Sequence, residues 1–308
     1  MAKTKLPAVG AGKKEGRLSR TLRECKTHRT LLLMLGMIAF MTVYPFWQII
    51  ITSISTPAEA NRMAFKLWPR ELSDAGYRNV LANEYIWRGY LNTAVRLVLG
   101  TAIEMVLMIL TAYPLSKKYL PFRNKFTMII VFTMFFSGGL VPAYLNVRSL
   151  HIDDTVLALV LPTACKTFSM LIVRNFFMSI PNEIEESAKV DGAGSMRILV
   201  SIILPLSVSI LLTVGLWSAV DHWNAWFDCL IYIRTPDKYV LQAILRKIVI
   251  DAAPQFDNLN ATADSGMQVD TEVVKASSIV VSTLPILAIY PFVQKYFVQG
   301  VMVGSLKG

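Results

Sequence analysis

The chain has few charged residues and very few of the side chains on which most enzymes rely. Only 17% of its 308 residues are charged, whereas soluble globular proteins usually contain about 25%. The three histidines and three cysteines lack the spacing of a zinc site, a redox motif or a disulfide framework. No GxxxxGK(S/T) loop and no GxSxG elbow is present. These absences predict no catalytic residue, no metal site and no cofactor in this chain, and they argue against a cytosolic enzyme.

Long apolar runs take the place of those features. Hydrophobic residues make up 54% of the chain, and the mean hydropathy is +0.48. About 20 helical residues cross the ~30 Å hydrocarbon core of a bilayer. Six stretches reach that length: Leu31–Ile51, Leu97–Ser116, Phe126–Val147, Thr155–Val173, Ile198–Val220 and Ala276–Gln294. The pattern predicts an all-α membrane protein with six transmembrane helices.

The distribution of charge predicts the orientation of these helices. Residues 1–30, 117–125, 174–197 and 295–308 together carry 18 basic and 6 acidic residues. The segments on the opposite side carry 12 basic and 14 acidic residues. Because positive segments stay on the cytoplasmic side, both termini are expected there. The basic leader is expected to touch anionic lipid headgroups and not to bind nucleic acid.

Residues 181–206 have a pattern that a simple loop does not need. Pro181 can begin a helix, and three glutamates follow in its first turns, where they suit the helix dipole. Gly192 and Gly194 allow a sharp reversal before an apolar run leads back into the membrane. The residues alone predict a short helix along the membrane surface. It is either a docking surface for a soluble partner or an ordinary interfacial connector.

This segment resembles the EAA loop of ABC-importer permeases. The family motif is Glu-Ala-Ala, three residues, Gly, nine residues, Ile, one residue and Leu-Pro. The chain matches it, with Asp and Ala beside the glycine as in the sugar permeases, at Glu186, Ser187, Ala188, Asp191, Gly192, Ala193, Ile202, Leu204 and Pro205. Ser187 replaces the middle alanine and keeps a small side chain. The resemblance implies that the loop docks in a cleft of a separate ATP-binding subunit, where Glu186 pairs with a basic residue.

Further resemblances extend over residues 31–308. Residues 135–145 and 222–228 are similar to a subgroup that handles oligosaccharides, and the C-terminal residues are similar to those of MalG-like carbohydrate permeases. The resemblance implies the type I importer permease fold in a bacterial inner membrane. It also implies four partners: an ATPase dimer that carries ATP and Mg, a second homologous permease, an extracytoplasmic sugar-binding protein and the membrane lipid.

Four parts of the chain follow from this interpretation. Residues 1–30 form a basic cytoplasmic leader, and residues 31–87 form the first transmembrane helix and an outer loop. Residues 88–296 form the permease core, which includes the coupling loop 181–206. Residues 297–308 form a cytoplasmic tail.

A cluster of aromatic and polar residues follows the fifth apolar stretch. A sugar is bound by stacking on aromatic rings and by hydrogen bonds to its hydroxyl groups, and this cluster offers both. Its members are Trp223, Asn224, Trp226, Asp228 and Tyr232. They line the substrate pathway or form an aromatic belt at the membrane interface. The oligosaccharide resemblance favours the pathway.

Charges near and within the apolar stretches are a second candidate feature, because such charges are expensive and often functional. Glu104 and Lys166 lie inside two stretches, and Arg96 borders one of them. Lys166 either pairs with Glu104 or, like Arg96, faces the pathway and favours an anionic saccharide.

Residues 240–249 repeat apolar side chains at helical spacing, which predicts an amphipathic helix that lies on the membrane or helps to dock a binding protein. The sequence thus predicts a permease subunit of a sugar importer. A stand-alone secondary transporter would need intramembrane acids, of which only Glu104 is available. A membrane-embedded enzyme would need a nucleophile or a metal set.

Overall fold

A computed structural model describes residues 13–62, 66–251 and 271–305, with side chains described in 30–62, 66–250 and 271–288. In these ranges the regular secondary structure is helical, with one isolated bridge between Ser55 and Leu72, and turns and extended segments connect the helices. The helices are α1 (Lys13–Ser53), α2 (Pro57–Ala60), α3 (Ala75–Ala82), α4 (Glu84–Ser116), α5 (Arg123–Phe135), α6 (Leu140–Ser149), α7 (Val156–Val160), α8 (Thr167–Ser179), α9 (Asn182–Val190), α10 (Ser195–Ile198), α11 (Leu204–Leu206), α12 (Val208–Asn224), α13 (Phe227–Tyr232), α14 (Leu241–Arg246) and α15 (Thr271–Ser305). Short 3-10 turns lie at Leu161–Thr163 and Pro236–Lys238, and π-helical turns at Leu199–Ile203 and Lys247–Asp251.

Three helical segments are long and apolar enough to cross a membrane unbroken. They are Thr30–Ser53 within α1, the whole of α4, and Thr271–Ala288 within α15. Helix α1 packs against α15, while α4 packs against α8, α12 and α14. A regular helix rises 1.5 Å per residue, so the 33 residues of α4 extend about 50 Å.

The other three predicted spans are bent pairs of helices. Helices α5 and α6 meet at 112°, the segment Val156–Thr163 meets α8 at 56°, and the segment Ser195–Leu206 meets α12 at 83°. If each pair counts as one crossing, the described chain has up to six spans, as the sequence predicts. Each of these three predicted spans is thus a helix with a sharp bend and not a straight helix.

Glycine and proline account for the bends. Gly139 has φ +87°, a conformation that L side chains rarely adopt, and it separates α5 from α6. Pro162 lies in the 3-10 turn before α8, and Pro205 lies in α11 just before the 83° bend. Proline removes a backbone hydrogen bond and clashes with the preceding turn, so a helix turns or ends there.

The core consists of two apolar clusters joined by a polar middle section of α4. One cluster, named the outer cluster, surrounds the N-terminal part of α4 and contains Ile86, Cys229, Leu241 and Ile244, among others. The other cluster, named the inner cluster, surrounds the C-terminal part of α4. It contains Met108, Ala112, Tyr113, Val173, Phe177, Ala188 and Ile198, among others. Between them, α4 buries Thr93, Arg96, Gly100 and Glu104. The central helix therefore passes from apolar contacts through buried charges and back to apolar contacts.

The structure contradicts the prediction that residues 240–249 lie on the membrane or help to dock a binding protein. Helix α14 packs against α4, and Val240, Leu241 and Ile244 are buried in the outer cluster. The apolar face that the spacing predicts exists, but it covers another helix of the same chain. It is not available to the membrane surface or to a binding protein.

Candidate coupling surface and pathway cleft

Helix α9 forms where the EAA resemblance predicts a coupling helix. It begins one residue after Pro181, and it buries Glu185 and Ala188. Glu186, Ser187 and Asp191 are exposed. The helix therefore has one face fixed to the rest of the chain and another face open to a partner.

The end of α9 has the geometry that the glycine in the motif predicts. Gly192 has φ +79°. The backbone N–H groups of Gly192 and Ala193 donate to the carbonyl groups of Lys189 and Ala188, at 3.0 and 2.9 Å. These bonds satisfy the last carbonyl groups of the helix, and glycine accepts the left-handed conformation without a steric penalty.

The remaining motif residues lie on the return path into the membrane. Ala193 and Leu204 are half-buried and pack against the inner cluster, while Pro205 is exposed in α11. Their place in the fold matches the motif, and their roles in docking stay predictions.

A buried ion pair fixes the inner face of α9. Lys117 directly follows the last residue of α4, and its Nζ contacts Oε1 of Glu185. Each side chain is only 9% exposed. The ammonium group also lies 4.4 Å from the centre of the Tyr113 ring. No local pattern in the sequence marks this pair, because its members are 68 residues apart in the chain.

The buried charge of Arg96 is neutralised by Asp228. The two guanidinium Nη atoms contact the two carboxylate oxygens, with Nη1 3.0 Å from Oδ1. Nη1 also donates to the carbonyl of Ala225 and Nη2 to that of Leu159, each at 3.3 Å. Arg96 is 1% exposed, so it is not a free cation that faces a saccharide. Asp228 is correspondingly engaged by protein, and its pathway role stays a prediction.

Glu104 is the centre of a second buried cluster. Its Oε1 lies 3.4 Å from Nζ of Lys166 and 3.3 Å from Nε2 of His222. Ser218 donates a hydrogen bond to its other oxygen. The predicted pairing of Lys166 with Glu104 is present. Lys166 also reaches Asp221, with 2.6 Å between Nζ and Oδ2.

The predicted aromatic cluster is divided among several packing contacts. The Trp223 ring lies near Tyr90 with 6.4 Å between centroids, and Tyr232 stacks on Tyr144 at 6.3 Å. The guanidinium of Arg246 lies 3.8 Å from the Trp226 ring centre. Tyr232 is buried, whereas Trp223 and Trp226 are half-buried. Asn224 is exposed at the end of α12. The structure does not arrange these residues as one sugar-binding surface, and their pathway role stays a prediction.

An open cleft lies beside Lys166, at the break between α7 and α8. Its volume is about 670 Å³. The lining residues are Thr133, Met134, Cys165, Lys166, Thr167, Phe168, Ser169, Trp217 and Asp221. The cleft thus combines apolar and aromatic groups with one cation and one exposed acid. Within the described residues, no group of three or more His, Cys, Asp or Glu side chains could hold a metal ion.

Comparisons with known proteins agree with the fold. No protein-family model matches the chain. The chain is 38% identical over 272 residues to the polygalacturonan/rhamnogalacturonan transport system permease protein YtcP of Bacillus subtilis, covering 88% of this chain and 95% of that protein. It is also 38% identical to protein LplC of the same organism, over 90% of this chain and 93% of that protein.

A solved structure is similar over almost the whole chain. It belongs to a bacterial ABC transporter involved in the import of the acidic polysaccharide alginate. The TM-score is 0.81 at 31% identity, over 94% of this chain and 100% of that chain. These relatives are transport subunits and not enzymes. The chain is therefore a membrane protein that belongs to the permease subunits of carbohydrate ABC importers.

Proposed function

We propose that this permease forms half of the pathway of an importer for an acidic oligosaccharide, one that contains uronate units. A dimer of a separate ATPase, which binds ATP and Mg, would dock on α9 (Asn182–Val190). A second homologous permease would complete the pathway, and an extracytoplasmic binding protein would deliver the sugar. The chain would lie in the bacterial inner membrane with both termini in the cytoplasm.

The two faces of α9 carry the coupling part of the proposal. Glu185 and Ala188 attach the helix to the permease, while Glu186, Ser187 and Asp191 are exposed. Acidic and small side chains suit a cleft with a basic residue, because a charge-assisted bond forms where small residues allow close approach. When the ATPase subunits close, a helix held in this way moves with them.

Two observations support an acidic substrate. Polygalacturonan and alginate, which the names of two similar transporters contain, are both built of uronate units. In this chain Lys166 lies at the cleft with 27% of its side chain exposed. Its partner Asp221 is 65% exposed. A pair so exposed is weak, so a sugar carboxylate can replace Asp221 as the partner of Lys166.

Glu104 would hold Lys166 during this exchange. Glu104 is buried, and it contacts Lys166, His222 and Ser218. The ammonium therefore keeps one fixed carboxylate partner while the second partner changes. The stand-alone carrier is less well supported, because Glu104 is the only acid inside the predicted spans and it is buried against Lys166, His222 and Ser218.

Purification of the tagged chain in mild detergent tests the coupling role. We expect recovery of a P-loop ATPase and a second six-span permease, with ATP hydrolysis in the eluate. Glu186→Lys should abolish uptake while the chain still inserts in the membrane. Glu71→Lys, at an exposed acid far from α9 in the chain, is the control and should behave as wild type. A wild-type chain that purifies without an ATPase would overturn the proposal.

Uptake in proteoliposomes tests the substrate class. Oligogalacturonate and a neutral arabino-oligosaccharide serve as probes, each with its binding protein. We expect uptake of oligogalacturonate in wild type and a loss of about 10-fold, equivalent to 1.4 kcal/mol, in Lys166→Met. Asp221→Asn should retain uptake, because it removes only the competing acid. Equal uptake of the acidic probe by Lys166→Met and wild type would contradict the role of Lys166.

A further inference from the structure

The buried pair of Lys117 and Glu185 joins the coupling helix to the central helix of the permease. Helix α9 has nine residues and is flanked by Pro181 and by Gly192, whose φ is positive. So short a helix between two turns has little stability of its own. Its orientation therefore depends on its contacts with the rest of the chain. These include the burial of Ala188, the ion pair of Glu185 and the ammonium group of Lys189, which lies 4.7 Å from the centre of the Tyr119 ring.

The surroundings of the pair make it hard to open. Tyr113, whose ring lies beside Lys117, packs edge-on against Phe177 at 6.4 Å, and both rings are buried. Arg174 Nε donates to the carbonyl of Leu115 at 2.9 Å and ties α8 to the end of α4. Removing one member of a buried pair leaves a charge without compensation, which is strongly unfavourable.

Helix α4 ends at the residue before Lys117, and the other buried charges lie along the same unbroken helix. Helix α4 contains Glu104, which contacts Lys166, and Arg96, which contacts Asp228. The three ion pairs thus connect one continuous helix to α9, to the break before α8 and to α13. One continuous helix therefore runs from the residue next to the contact with α9 to the part that borders the cleft residue Lys166.

We propose that Lys117 and Glu185 are positioning residues that transmit the movement of α9 to α4 and thereby to the Lys166 cleft. The inference rests on the proposed ATPase docking at α9. It adds the point at which that movement enters the membrane-spanning core. Both side chains are only 9% exposed, so the pair lies inside the permease.

The test compares variants of the complete complex in proteoliposomes, with oligogalacturonate and its binding protein as the probe. Three quantities are measured: ATPase subunit bound per permease, ATP hydrolysis, and uptake per ATP hydrolysed. Lys117→Met should leave the first two within about two-fold of wild type and reduce uptake per ATP about 10-fold, within the usual range for linkage between sites. Lys118→Met, at the exposed neighbouring lysine, is the matched control and should match wild type.

Reversing both charges separates transmission from simple structural support. Lys117→Glu combined with Glu185→Lys should restore uptake per ATP to within about three-fold of wild type, since the attraction is kept. If the reversed pair does not fold, Lys117→Arg should retain coupling instead. Normal uptake per ATP in Lys117→Met would overturn the inference. So would a parallel loss of ATPase binding and uptake that neither the reversed pair nor arginine restores. A wild-type complex without an ATPase would instead refute the proposed function itself.

Discussion

Gly100 allows the buried cluster around Glu104 to form. A Cβ atom at this position would lie 2.5 Å from Cε1 and 2.7 Å from Cδ2 of the His222 ring, distances that real Cβ atoms essentially never show. His222 is 3% exposed and contacts Glu104. Gly100→Ala should therefore force the imidazole away from Glu104 or push α4 away from α12.

Two opposing effects determine how much Gly100→Ala changes the free energy of unfolding. Overpacking of a well-filled interior costs about 1–3 kcal/mol. Alanine regains up to about 1 kcal/mol because it favours a helix more than glycine does. The clash involves a rigid ring held between two helices, so it dominates. We expect Gly100→Ala to lower the free energy of unfolding by about 1–2 kcal/mol.

Unfolding of the purified permease by SDS, followed by tryptophan fluorescence, measures this cost. Gly215→Ala is the matched control, because its Cβ would lie 3.6 Å from Met105 Sδ, an ordinary contact. That variant should equal or exceed the wild type in stability. In a His222→Ala background the penalty of Gly100→Ala should disappear, because the ring that it meets is absent. A Gly100→Ala protein as stable as wild type, with unchanged uptake, would refute the reasoning.

Three further predictions concern other parts of the chain. Gly192→Ala should destabilise the turn after α9 by about 1–2 kcal/mol, because the φ of this residue is +79°. Circular dichroism should show a folded chain, and uptake assays should show weaker coupling. Arg96→Met should lower the free energy of unfolding by about 3 kcal/mol, because the carboxylate of Asp228 loses its cationic partner. Adding Asp228→Asn should recover much of that loss in SDS unfolding. Burial alone would raise the pKa of Asp154. Hydrogen bonds from Lys238 and from the loop that follows α13 have a larger, opposite effect, so the pKa of this carboxyl is well below its usual value. That carboxylate therefore stabilises the fold at neutral pH and loses its effect as acidification protonates it, and Asp154→Asn should unfold with less pH dependence below about pH 4.

The sequence predicts the crossing segments and the presence of helix α9 well, because both leave local signals. An apolar stretch of 20 residues is visible without any knowledge of its neighbours. The pattern from Glu186 to Pro205 has fixed spacing, and the positive φ of Gly192 is what that pattern requires. The bends are less predictable, since proline occurs inside α1 at Pro45 and inside α4 at Pro114 without dividing either helix. Whether proline ends a helix depends on tertiary contacts.

The partners of buried charges are predicted only when few choices exist. Lys166 and Glu104 are the charges inside the predicted spans, so their pairing is one of the two arrangements that the sequence predicts for Lys166. The pair of Arg96 and Asp228 joins residues 132 positions apart. Lys117 and Glu185 both lie in segments with other charges. Nothing local marks either pair, because a charge at the edge of an apolar stretch is normally solvated.

The buried charges of α4 have a consequence for how the chain is made. Ribosomes extend a chain at about 5–20 residues per second, so Asp228 emerges roughly 10 s after Arg96. During that interval α4 reaches the membrane-insertion machinery while Arg96 and Glu104 are still unpaired. Each such charge costs about 3 kcal/mol at the centre of a helix, and the apolar remainder of α4 must outweigh it. The helix therefore enters the bilayer on its hydrophobicity alone, and its ion pairs form only when α8, α12 and α13 arrive beside it.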